Sequence, residues 1–306
     1  MPALITHHYF GQDVLSNWSG EVPLSEQSRE AFLLGCQGPD PFFYAVFSPQ
    51  LARLQRLGRE MHRVRVQASL DCLRQASRVW PSDRAEAMTA YIRGWICHFT
   101  LDSLAHPYVY AWERAICQAG VAGLGLDAHS EVHAQIETDL DAMLLYQRTG
   151  QTIRTFRPMS EILHGSDELL GWIGVMYRRV AAEVFDIQIA DNGFRRAVKD
   201  MRTTYALLYS PGGVKRVMIG RLERLARPHS LLQALSHRGD VGANANFDNH
   251  EHAAWVNATT GQTSWASFLD IFQSATELAI QRQQLYSSGA DSAELLGALN
   301  FEGSWD

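Results

Sequence analysis

The chain has 306 residues, 46% of them hydrophobic and 20% charged, which is enough apolar material for one large folded domain or two smaller ones and excludes a disordered chain. Its net charge of −6 gives no electrostatic basis for holding duplex DNA. No apolar run reaches the roughly 18 residues needed to span a bilayer, and MPALITHHYFGQDVL lacks the basic and apolar regions of a secretion signal, so a cytoplasmic location is expected.

Helical periodicity dominates from one end to the other. Ser25–Gly35 reads as a short amphipathic helix. From Pro49 to about Val79 the pattern predicts one long helix, with Leu51, Leu54, Leu57, Met61 and Val64 at three- and four-residue steps. A third helix is predicted over Ser82–His106, with Ser82 as its N-cap and Pro107 as its stop. Further helices are predicted at about Ala128–Tyr146, Glu161–Val184, Asp191–Leu208, Val214–Leu225 and Ser264–Tyr286. In the last, Phe268, Ile271, Phe272, Ala275, Leu278 and Ala279 form one apolar stripe.

No strand alternation persists. The stretch from Arg227 to Asn249 is rich in Pro, Gly and Asn and reads as a long irregular connection. Residues 289–306 read as a loosely held tail. The four cysteines, Cys36, Cys72, Cys97 and Cys117, show no CxxC spacing and read as buried free thiols. The expected architecture is a single all-α domain over residues 1–288, a multi-helix bundle with its site between facing helices.

The chemistry concentrates in the first half. In YIRGWICHFTLDSLAHPYVY, His98, Asp102 and His106 stand at four-residue steps, close to one face of an apolar helix. Ionised carboxylates are rarely buried alone, and imidazole with carboxylate is an ordinary ligand set for Zn²⁺. HSEVHAQIETDLDAML adds a second helical pair, His133 and Glu137, flanked by His129 and Asp141. His7 lies in ITHHYF, Asp40 sits between two prolines in GPDPFFY, and His62 falls within the first long apolar pattern. His7, Asp40, His62, His98, Asp102, His106, His133 and Glu137 could together hold two or three zinc ions. His129 reads as a solvent residue at a helix start, Asp141 as an outer residue or helix surface, and His8 as a non-ligand. His164, His229 and His237 read as polar-region residues without partners, and His250 and His252 as loop surface. Phe42, Phe43 and Tyr44 could wall a cleft but read first as core. Arg53, Arg56, Arg59 and Arg63 read first as a solvated helix face.

At these positions the sequence resembles the zinc-dependent phospholipase C family, which shares its fold with single-strand-specific zinc nucleases. The matching pieces are ITHHYFGQDVL, LGCQGPDPFFY, REMH, YIRGWICHFTLDSLAHPYV and HAQIETDLD. More weakly, NHEHAAWVNATTGQTSWASFLDIF is similar to bacterial members. The resemblance implies three zinc ions in an all-helical cleft. His62, His98, Asp102 and Asp40 match the residues around the first, His106, His133 and Glu137 the ligands of the second, and His7 with a bridging Asp102 side-chain ligands of the third. Secreted relatives complete the third site with an N-terminal tryptophan, where this chain reads MPALITHH.

The implied activity is zinc-dependent hydrolysis of a phospholipid or phospholipid-like phosphodiester by a metal-bound hydroxide, with Asp40 and Asp102 as catalytic residues. The partner would be a lipid-headgroup or other small phosphodiester, with peripheral membrane contact allowed. The alternatives are a single-strand zinc nuclease and a non-catalytic helical protein that keeps zinc for structure.

Overall fold

The computed structural model describes residues 4–17, 24–119, 127–239 and 247–305. The described residues are mostly helical, with almost no sheet, and divide into two compact units. The first unit holds the chain's start through Thr6, Leu104–Glu161 and Tyr205–Ser274; the second holds His7–Ser103, Ile162–Thr204 and Ala275–Asp306. The helices are α1 (Leu4–Asn17), α2 (Glu26–Gly35), α3 (Leu51–Arg63), α4 (Val66–Ser77), α5 (Ser82–Gln118), α6 (His129–Thr149), α7 (Asp167–Phe185), α8 (Gly193–Leu208), α9 (Val214–Glu223), α10 (Leu231–Ala234), α11 (Phe268–Ser288) and α12 (Ser292–Leu296). The described strands are β1 (Trp255–Val256) and β2 (Thr263–Ser264), paired antiparallel in the first unit.

In the second unit α4 packs along α7, and α3 packs on the 3-10 turn Asp40–Tyr44. The predicted helix from Pro49 to Val79 is interrupted. Val64 is extended and Arg65 takes a left-handed conformation at φ 58°, so α3 and α4 are separate helices. No Gly or Pro marks this break, and a left-handed non-glycine residue costs on the order of 1–3 kcal/mol. What offsets it lies far away in sequence. The Arg65 guanidinium donates to Val184 O at the end of α7, and Val66, Leu70 and Leu73 are wholly buried on α4.

α2 and α5 approach at two facing glycines. A Cβ on Gly35 would collide with Tyr91 O, and one on Gly94 would collide with Phe32 O. Gly38, at φ 50°, lies against the His98 ring, where a side chain has no room.

α5 does not stop at Pro107, as the sequence reading expected, but runs on to Gln118. Proline within a helix costs roughly 3 kcal/mol. The residues beyond it repay continuation: Tyr108 and Val109 are buried, and burying such side chains gains about 1.5–3 kcal/mol each.

α1 was not anticipated, because its N-terminal cap is not local. The Asp141 carboxylate on α6 accepts from Ile5 N (3.0 Å) and Thr6 N (2.7 Å), satisfying two otherwise orphaned donors at the positive end of the helix. α7 begins at Asp167, not Glu161, where Ser166 Oγ accepts from Leu169 N.

Of residues 289–306, expected as a loosely held tail, the described part to residue 305 is instead packed. Leu295 and Leu296 of α12 and Phe301 are buried, and Phe301 N donates to His62 O (3.1 Å). Of the connection expected at 227–249, the described part contains α10; residues 240–246 lie outside the described residues. All four cysteines are buried and free.

Candidate metal centre

The second unit brings five of the eight predicted ligands together. α1 supplies His7, the 3-10 turn Asp40, α3 His62, and α5 both His98 and Asp102. Their side chains are almost completely buried. Asp102 Oδ1 lies 3.1 Å from His7 Nε2, while its Oδ2 lies 3.4 Å from His98 Nε2 and 3.9 Å from His62 Nε2. Asp40 Oδ1 lies 3.0 Å from His62 Nε2 and 3.5 Å from His98 Nε2. Two overlapping triads have ligand atoms close enough to share an ion: His7, Asp40 and His98, and His62, His98 and Asp102.

Backbone carbonyls orient two of these imidazoles. His62 Nδ1–H donates to Gly58 O one turn back (2.7 Å), and His98 Nδ1–H donates to Cys36 O (3.2 Å). Each bond leaves the Nε2 lone pair pointing at carboxylate oxygens. His98 Nε2 is buried and makes no hydrogen bond. A lone pair facing carboxylates is repulsive unless a cation sits between them or a proton is taken up, and a second partner on Nδ1 is how metal-binding imidazoles are commonly held.

The electrostatics reflect this crowding. Burial pushes Asp102 up to about 7, against the pull of His98. Asp40 is held well below the usual carboxylate range, since His98 and His62 outweigh its burial. Burial lowers His98, whereas Asp40 and Asp102 outweigh burial at His62 and raise it.

The first unit brings together the other three predicted ligands. His133 Nε2 lies 2.9 Å from Glu137 Oε1 across one turn of α6, and His106 Nε2 of α5 lies 4.0 Å from the same oxygen. The His106 and His133 rings stack with centroids 5.7 Å apart. Sequence reasoning missed Glu113. It follows His106 by seven residues and so shares its helix face. Glu113 Oε2 accepts from His133 Nδ1 (2.8 Å) and Oε1 from His129 Nδ1 (2.6 Å), which fixes the His133 tautomer so that Nε2 is the atom that could ligate a metal. Replacing Glu113 by Gln is expected to weaken zinc at this cluster about 10–100-fold while leaving the second unit's zinc in place. Zinc titration with stoichiometry tests this; unchanged affinity would show that Glu113 does not hold the ring.

A family model for zinc dependent phospholipase C matches residues 6–187. The chain belongs to the zinc-dependent phospholipase C family. Comparison with curated proteins and with solved structures gave no match. The all-α fold agrees with the family, and the match spans every residue of both clusters. The family match and the imidazole–carboxylate clusters support a zinc-dependent phosphodiesterase. The donor sets fit zinc, combining nitrogen with carboxylate oxygen and no thiolate.

Zinc must displace the protons its ligands hold. A carboxyl raised to about 7 keeps its proton in the metal-free protein up to that pH and releases it when zinc binds. Zinc affinity is therefore expected to climb as pH rises through about 7, and raised His62 adds to the climb. Competition against a chromophoric chelator across neutral pH measures this, and a flat profile would contradict it.

The remaining residues fall elsewhere. His8 is buried with Gln12 beside its Nε2 (2.9 Å), and burial lowers it to about 4. His237, expected to lack a partner, is buried with Nε2 2.9 Å from Asp141 Oδ2, and His229 Nε2 lies 3.2 Å from Asp127. Asp141, read as an outer residue or helix surface, is fully buried. His250 and His252 are exposed, as are Arg53, Arg56, Arg59 and Arg63. Phe42 is core, its ring 4.9 Å from Tyr177, whereas half-buried Phe43 stands 5.1 Å from the His62 ring.

Proposed function

We propose that this chain hydrolyses a phospholipid or phospholipid-like phosphodiester at its zinc sites. The observation that carries this reading is the buried set His7, Asp40, His62, His98 and Asp102, within the part of the chain that the family model matches. Zinc bound there would supply a water acidified towards neutrality and positive charge for the phosphoryl oxygens. Asp102 turns its two oxygens towards different imidazoles, His7 on one side and His98 and His62 on the other, a geometry suited to bridging two ions. Asp40 stays ionised at neutral pH. Its lowered pKa makes it a good ligand and hydrogen-bond acceptor for orienting a nucleophilic water, and a weak proton acceptor. Phe43, beside His62, gives the substrate an aromatic neighbour.

Two other readings draw on particular observations. The same Phe43 ring suits stacking of an unpaired base, as in a single-strand nuclease. The near-complete burial of the five side chains suits zinc kept for structure. Zinc-loaded protein is expected to cleave a chromogenic phosphocholine diester and to stop when a chelator is added. Cleavage of single-stranded DNA alone would favour the nuclease. Tightly retained zinc with no hydrolysis of any diester would favour the structural role.

A further inference from the structure

Helix α9 is amphipathic the wrong way round for a helix packed on a protein core. Arg216, Gly220 and Glu223 share the face turned inward. Arg216 donates to Ser236 O (2.9 Å) and Gln135 Oε1 (2.6 Å), Gly220 is buried, and Glu223 accepts from Ser230 Oγ (2.7 Å) and Leu232 N (3.0 Å). The opposite face carries Val214, Val217, Met218 and Leu222, and the following turn adds Leu225. They are 70%, 41%, 56%, 65% and 84% exposed. At about 100° per residue these five side chains fall within one arc of roughly 140°. Isolated exposed apolar residues are ordinary, but a contiguous stripe is not.

The charges beside that stripe point to its partner. Residues 214–227 contain five basic side chains, Lys215, Arg216, Arg221, Arg224 and Arg227, against the single acid Glu223, in a chain whose net charge is −6. Arg221 lies within the apolar arc, and exposed Lys215 and Arg224 border it on either side. An apolar stripe edged by cations fits the boundary between anionic headgroups and acyl chains, where the stripe is buried and the cations meet phosphates. A protein partner would need acidic residues placed to match, whereas an anionic bilayer offers them at every position.

We propose that α9 is an interfacial anchor that seats the first unit on an anionic lipid surface. Binding is inferred from α9 alone; its use in bringing lipid substrate to the zinc sites rests on the function proposed above. The chain is expected to co-sediment with vesicles of phosphatidylcholine mixed with phosphatidylglycerol, and weakly with phosphatidylcholine alone. Salt should weaken this binding without abolishing it. The double substitution Met218→Asp with Leu222→Asp, at exposed sites, should lower the partition coefficient about tenfold or more. It should leave zinc content and hydrolysis of the water-soluble chromogenic diester unchanged. Charge reversal by Lys215→Glu with Arg224→Glu should remove the preference for anionic vesicles. Wild-type protein that ignores anionic vesicles, or a double variant that binds them as well as wild type, would overturn the anchor. So would an assembly in solution that the double variant dissociates, since a second copy would then cover the stripe. Vesicle binding that persists in a protein without diesterase activity would sink the proposed function and leave the anchor standing.

Discussion

Asp102→Asn is expected to abolish stabilisation by zinc and to lower diester hydrolysis by at least about 100-fold. That figure is the upper end of the losses seen when only an outer partner of a metal ligand is changed, and the role proposed for Asp102 is that of a direct ligand. Its two oxygens face three imidazoles in a fully buried position. An amide keeps the shape but presents one oxygen instead of two and no charge. In wild type, a ligand at 1,000 times its dissociation constant stabilises the fold by about 4 kcal/mol, and that increment should vanish in the variant. Without metal the comparison should reverse or level. Burial has pushed Asp102 up to about 7, so ionising it in the empty cluster opposes folding, and a neutral amide avoids that cost. Thermal melts with and without zinc read both halves of the prediction. A variant that still gains stability from zinc would remove Asp102 from the site.

Phe301→Ala is expected to cost about 3–5 kcal/mol, the usual range for emptying a fully buried aromatic position, and to weaken zinc in the second unit. The Phe301 ring is wholly buried, with centroids 4.8 Å from His62, 5.4 Å from His98, 5.1 Å from Trp95 and 5.2 Å from Phe99. It packs against two imidazoles at once, so its loss leaves a void beside two candidate ligands. Denaturant unfolding in chelator gives the stability change, and a zinc titration gives the second effect. A loss of stability with zinc affinity intact would mean that Phe301 fills space without positioning the rings.

Phe301 also marks where sequence reasoning stopped. The four-residue steps of His98, Asp102 and His106 and of His133 and Glu137 are local patterns, and a helix turns local spacing into a shared face without help from the rest of the chain. The same logic makes the helices of the second half legible from their apolar stripes. What escaped was non-local. Nothing near residue 301 announces that its ring belongs beside His62. The cap of α1 comes from Asp141, more than a hundred residues away, so the first helix carries no local start signal. Arg65 breaks a long apolar pattern, and the contact that accompanies the break, its guanidinium on Val184 O, lies 119 residues away. Glu113 was within reach, since it sits two turns beyond His106 on the same helix face, but its pairing with His133 needed α6 beside α5.

The meeting of Gly35 and Gly94 has a bearing on how this protein tolerates change. Cys36, next to Gly35, presents the carbonyl that aims His98, so the direction of one imidazole depends on how nearly two backbones can touch. Neither glycine carries any reactive group, yet even a methyl at either would wedge the backbones apart and swing that carbonyl. A saturation scan should therefore find intolerant positions at residues with no chemistry of their own, as unforgiving as the ligands. Conversely, a homologous chain could keep every ligand and lose its zinc through a single added carbon.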